Sequence, residues 1–160
     1  MQRIGPQDGA RADFPSLRTR YILRGEDTGG QFALIEHEIP PRGLAAPLHK
    51  HAREDEYSYV LSGQVGVKIG DEVAVAGPGE LVAKPRGIWH SFWNAGDETA
   101  RLLELISPAG FEQYFEEMAP HLAGEGPPDL EALGEIRGRY GLEMDMDSVE
   151  SLLQEHGLRR

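Results

Sequence analysis

The sequence predicts an all-β sandwich or barrel that ends in about three short helices. Three observations predict it. Residues 19 to 106 hold short runs of alternating apolar and polar residues, interrupted by Gly, Pro, Asn or Asp about every ten residues. At Ser107 the apolar period lengthens from two to between three and four. Three histidines and a carboxylate (His49, His51, Glu56 and His90) fall within the alternating part, punctuated by glycines and a proline at turn-like spacings.

The chain has 160 residues, enough for one domain with a buried core. It contains no cysteine. Disulfides, thiolate metal sites and cysteine nucleophiles are therefore excluded, and any metal must sit on nitrogen and oxygen ligands. The formal net charge of −11 at pH 7 argues against a nucleic-acid partner, because such binding rests on phosphate neutralisation by Lys and Arg. The N-terminal stretch has no apolar signal-peptide core, and no run approaches the roughly 18 apolar residues of a membrane span. A soluble cytoplasmic protein with no membrane partner is expected.

In order, residues 1 to 18 read as an arm that is irregular over 1 to 16, residues 19 to 107 as the barrel, and residues 108 to 160 as a helical extension. The strand candidates are Thr19 to Arg24, Gln31 to Ile39, Leu48 to His51, Glu56 to Leu61, Gln64 to Ile69, the pair Val73 and Val75, Glu80 to Lys84, Trp89 to Asn94, and Ala100 to Ile106. Gly25 to Gly30, Gly70-Asp71 and Gly77-Pro78-Gly79 mark turns between them. Ser107-Pro108 reads as an N-cap and first helical residue. Phe111, Tyr114, Phe115 and Met118 then form one apolar stripe, with Pro120 expected to end the helix. Gly124 to Pro128 reads as a linker. Asp129 can cap a second helix, and Asp147 or Ser148 a third that stops at Gly157.

Residues two apart on a strand point to the same face. His49 and His51 can therefore both aim into a barrel, joined by Glu56 from the next strand and His90 from a third. Three imidazoles and a carboxylate suit one divalent first-row metal (Fe, Mn, Ni, Co, Cu or Zn) and leave coordination positions open for chemistry. By strand parity Ser58 and Val60 lie on the Glu56 side and Phe92 on the His90 side, making these three the pocket candidates.

The spacing G-x5-H-x-H-x4-E-x6-G is filled by Gly43, His49, His51, Glu56 and Gly63. The spacing G-x5-P-x-G-x2-H-x3-N is filled by Gly79, Pro85, Gly87, His90 and Asn94. Together these resemble the two motifs of the cupin superfamily. The resemblance implies a double-stranded β-helix barrel, metal ligation by His49, His51, Glu56 and His90, and pairing into a homodimer. HAREDEYSYVLSG, PRGIWHSFWN and SPAGFEQYFEEMA are further similar to quercetinase-like cupins. That likeness implies a metal-dependent dioxygenase acting on an aromatic or enolisable small molecule, with Glu56 as catalytic base. The alternatives are a non-enzymatic small-molecule binder or sensor, and a metal-dependent isomerase.

Several residues have plainer readings. Glu54 and Asp55 read as solvated loop charges, with a role supporting the ligands as the alternative, and His37, His121 and His156 as surface or helix-end residues, with His37 lining the barrel as the alternative. Tyr57, Tyr59, Trp89 and Trp93 read as core or interface aromatics, with a place lining the substrate pocket as the alternative. Glu104, inside an apolar strand, reads as a partner of Arg101 or another cation, or as facing a polar cavity. The 111–118 stripe reads as helix docking, with a lid as the alternative.

Overall fold

A computed structural model of the protein describes residues 3–14, 16–122 and 129–159. In chain order the elements are β1 (Arg11–Phe14), β2 (Leu17–Leu23), β3 (Ala33–Ile39), β4 (Leu44–His51), β5 (Asp55–Ser62), β6 (Val65–Ile69), β7 (Glu72–Ala76), β8 (Leu81–Lys84), β9 (His90–Asn94), β10 (Ala100–Ser107), α1 (Glu112–Leu122), α2 (Leu130–Arg139), β11 (Leu142–Asp145) and α3 (Ser148–His156). The strands form two antiparallel sheets, in the orders β1-β2-β3-β10-β5-β8 and β11-β4-β9-β6-β7. This is the all-β barrel with short C-terminal helices that the alternation predicts. No helix among the described residues is long and apolar enough to cross a membrane.

Alternation sets the inner face. On β10, Ala100, Leu102, Glu104 and Ile106 are buried while Arg101 is exposed. Ile35, Ile39, Val60, Leu102 and Ile106 of the first sheet meet Val65, Val67 and Phe92 of the second in one apolar core. A smaller cluster lies outside the second sheet, where α3 lays Leu152 over Trp93 and Leu44. Trp93 and Phe92 thus face opposite ways, as strand parity requires. Gly66 lies directly against the Trp93 indole. A Cβ there would stand 2.1 Å from Nε1, so only glycine fits.

The turn expected from Gly25 is a single 3-10 turn over Gly25 to Thr28. Four local expectations are corrected. Residues 11–14, read as irregular, form β1 and pair with β2. The first helix begins at Glu112, not Pro108, because Ser107 still belongs to the β10 ladder and pairs with Asp55. Glu112 itself fixes that start, its carboxylate accepting from the Gly25 and Gly110 amides at 2.9 and 2.6 Å. Pro120 does not end α1. It sits exposed in the last turns, where the carbonyl it leaves unpaired can be hydrated. Finally, residues 142–145 form β11, which pairs with β4. The reading of 124–128 as a linker lies outside the described residues.

The second helix begins as expected, with the Asp129 side chain accepting from the amides of Glu131 and Ala132. At α3 the Asp147 side chain makes no cap bond. Ser148 instead ties the helix to the sheet, its Oγ accepting from Leu48 N at 3.0 Å.

Candidate metal centre

β4 and β9 run side by side, with His49 directly opposite His90. His51 follows two residues along, and Glu56 faces them from β5 of the other sheet. One ligand atom from each of His49, His51, Glu56 and His90 lies within 4.8 Å of the others, and all four residues are buried. Two of the rings are oriented by their own strands. His49 Nδ1 donates to Pro47 O at 2.8 Å and His90 Nδ1 to Ile88 O at 2.9 Å. A carbonyl can only accept, so the proton sits on Nδ1 and the Nε2 lone pair is free. His90 Nε2 and both ring nitrogens of His51 have no hydrogen-bond partner among the described residues.

Burial, then the neighbouring imidazoles, holds His49 well below the ordinary histidine range. His51 is lowered too, chiefly by burial, which outweighs the opposing pull of Glu56. Neutral imidazole is the ligating form. Orphaned lone pairs on dry, neutral rings beside a carboxylate make a poor apolar core and a good divalent-metal site, so these residues fit the expected ion.

Lys84 completes the cluster, and sequence reading missed it. It ends β8 directly opposite Glu56, is 1% exposed, and donates to Glu56 Oε2 at 3.0 Å and Glu104 Oε2 at 2.9 Å. Burial would lower its pKa, but the two carboxylates outweigh it and keep the ammonium charged. Burial would raise Glu56, but Lys84 and then the imidazoles hold that carboxyl well below the usual range. Its available signal was parity. Lys84 shares a strand face with Val82, in register with the inward-facing Ser58 and Glu56.

The cupin-domain family model matches residues 35–106. The polyketide cyclase RemF from Streptomyces resistomycificus is 30% identical, with a TM-score of 0.57 over 67% of this chain and 79% of that one. This chain is a cupin. Tetracenomycin polyketide synthase protein TcmJ of Streptomyces glaucescens is 30% identical over 91 residues, 56% of the cupin and 60% of that protein. Germin-like protein 3-7 of Oryza sativa subsp. japonica is 29% identical over 99 residues, 59% of the cupin and 38% of that protein. The cupin thus spans less than two thirds of either curated relative.

The other singled-out residues fall into place around the centre. Phe92 is buried, with Lys84 Nζ 4.5 Å from its ring centroid. Ser58 donates to Glu104 Oε2 at 2.8 Å, and Val60 packs in the apolar core. Glu104 pairs with Lys84, not Arg101, which instead binds Glu36 on the outer side of the sheet.

For two residues the alternative reading holds over the surface one. Glu54 is buried, with Oε2 3.8 Å from His51 Nδ1, because the short loop folds it back against that ring. His37 is buried on the inner face of β3, hydrogen-bonded to Thr19 Oγ1 at 3.0 Å. Burial, with Lys84 adding to it, pushes His37 down to about 3. Asp55 remains at the surface edge, paired with Arg86 at 2.7 Å. His156 is at a helix end as read, stacked on Trp93.

The α1 stripe is buried and meets the site. The Phe111 ring lies 4.2 Å from that of His51 and the Phe115 ring 5.3 Å from that of His37. Tyr21 Oη donates to Glu112 O at 3.1 Å and holds the helix there.

Proposed function

We propose that this cupin is a metal-dependent enzyme acting on an aromatic or enolisable small molecule that carries hydroxyl or carbonyl oxygens. The observation that carries the reading is the buried group of His49, His51, Glu56 and His90, with free Nε2 lone pairs, set beside the Phe92 ring. A bound divalent metal supplies a Lewis acid that acidifies an adjacent hydroxyl or carbonyl-activated C–H. Phe92 and the α1 rings offer flat apolar surface and exclude water. Lys84 and the imidazoles keep Glu56 ionised, which makes it a weak base suited to an already acidified proton.

Dioxygenation of a flavonol-like substrate is the first reading, supported by the quercetinase-like motifs. Ring closure of a polyketide-like substrate is the second, supported by the 30% identity to the polyketide cyclase RemF. Both begin by removing a proton, from the enol hydroxyl of a flavonol or from a carbonyl-activated C–H of a polyketide. The test loads the protein with each first-row metal in turn and supplies flavonols and β-diketones, following oxygen uptake and product mass. Uptake with both oxygen atoms in the product supports dioxygenation. Loss of water without oxygen uptake supports cyclisation, and an unchanged mass supports isomerisation. Ligand-induced thermal stabilisation with no product under any metal overturns the enzyme reading in favour of a binding or sensor role.

A further inference from the structure

Glu104 is a buried acid inside an otherwise apolar run of β10. It occupies the inner face of β10 between Leu102 and Ile106, pairs in register with Ile35 and Ser58, and is 1% exposed. Its neighbours along β10 are apolar, and a leucine would follow their pattern. Lys84 holds both carboxylates, Glu56 at 3.0 Å and Glu104 at 2.9 Å, and both contacts to Glu104 fall on the single oxygen Oε2. Glu104 Oε2 is fully engaged by Ser58 Oγ at 2.8 Å and Lys84 Nζ at 2.9 Å. Oε1 has no partner among the described residues. An unpaired buried oxygen is costly and calls for an explanation.

We propose that Glu104 is a ligand-binding residue, its free Oε1 pairing with a hydroxyl or enol group of the same small molecule that reaches the His49, His51, Glu56 and His90 centre. This rests on the substrate reading given above and narrows it. The two carboxylates, Glu56 and Glu104, bind the same ammonium at 3.0 and 2.9 Å, which puts them close enough for one small molecule to reach both. The ring beside them is Phe92, which carries Lys84 over its face. The ligand class that fits is a flat molecule with two separated oxygen functions, one for the metal centre and one for Glu104. Burial, with Lys84 opposing and Glu56 adding, lifts the Glu104 carboxyl to about 7, so near neutral pH it can accept or donate the shared hydrogen.

The test is binding without turnover. The protein is loaded with Zn2+, which is redox-inert, and titrated with quercetin and with 3-hydroxyflavone. Both carry the metal-binding hydroxy-ketone, but only quercetin carries further hydroxyls. Glu104→Gln is expected to weaken quercetin on the order of tenfold, with 3-hydroxyflavone and Zn2+ affinity unchanged. Glu104→Leu, which matches its apolar neighbours, should give the same selective loss and serves if the amide variant fails to fold. Equal loss for both flavonols, or no loss for either, overturns the Glu104 assignment and leaves the substrate reading standing. If the wild-type Zn2+ protein binds neither flavonol, the substrate reading falls and this assignment with it.

Discussion

Lys84 and Glu56 form an ion pair inside the barrel, Nζ to Oε2 at 3.0 Å, with both side chains almost wholly shielded from water. The pair joins a candidate metal ligand to the last residue of β8. Removing one partner of a buried pair strands the other charge, which costs about 3–5 kcal/mol. Lys84→Met should lose stability on that scale in urea unfolding. Adding Glu104→Leu should recover roughly 1 kcal/mol or more, since one stranded carboxylate goes with it. Simple additivity of the two single losses would contradict the coupled cluster.

His51 contributes a ring with no other partner, so its removal should be read in metal rather than in fold. Wild-type protein should gain about 2.7 kcal/mol of stability at a metal concentration 100-fold above Kd. His51→Ala should lose most of that gain and most of the metal found on purification. Equal metal content in the two proteins, by elemental analysis, would show that the ion binds elsewhere.

His37 makes stability depend on pH. Its folded pKa is about 3 against an ordinary value of 6.5, so between these limits the unfolded chain binds a proton that the native one does not. Stability from a neutral His37 is therefore full above the unfolded pKa and is lost as pH falls toward the folded one. Glu104 has the opposite slope, so the informative quantity is a difference. The stability gap between apo wild type and His37→Gln should narrow by about 1.4 kcal/mol per pH unit below roughly 6.5. A gap that stays constant from pH 7 to pH 4 would contradict a neutral, buried His37.

Gly66 tests the packing behind the site. Its φ is not among the left-handed ones, so alanine is allowed by the backbone but not by the Trp93 indole. Gly66→Ala should cost on the order of 1–3 kcal/mol, the usual range for overpacking. Near-UV circular dichroism should report the displaced indole. An unchanged melting temperature would mean that Trp93 swings aside freely.

Much of this was legible in the sequence because strand parity is a strict rule. His49, His51, Glu56 and His90 face one another as their spacing implied, and the period change near Ser107 marked where strands give way to helices. What escaped was set by partners distant in the chain. Lys84 looks like a surface residue until β8 is laid against Glu56 on β5. Glu104 is ambiguous until Lys84 arrives, and His37 reads as exposed until Thr19 covers it. β1 and β11 are four residues each, too short for alternation to distinguish from loop, and exist because a neighbouring strand offers its edge.

β11 lies against the strand that carries two of the histidines, with Leu142 opposite His51 and Met144 opposite His49. During synthesis β4 leaves the ribosome long before this neighbour, and β5 to β10, α1 and α2 must all be made in between. Until then its backbone hangs as an open edge and the two rings lack their final backing. A chain cut before Leu142 is therefore expected to hold a first-row metal more weakly than one that carries β11.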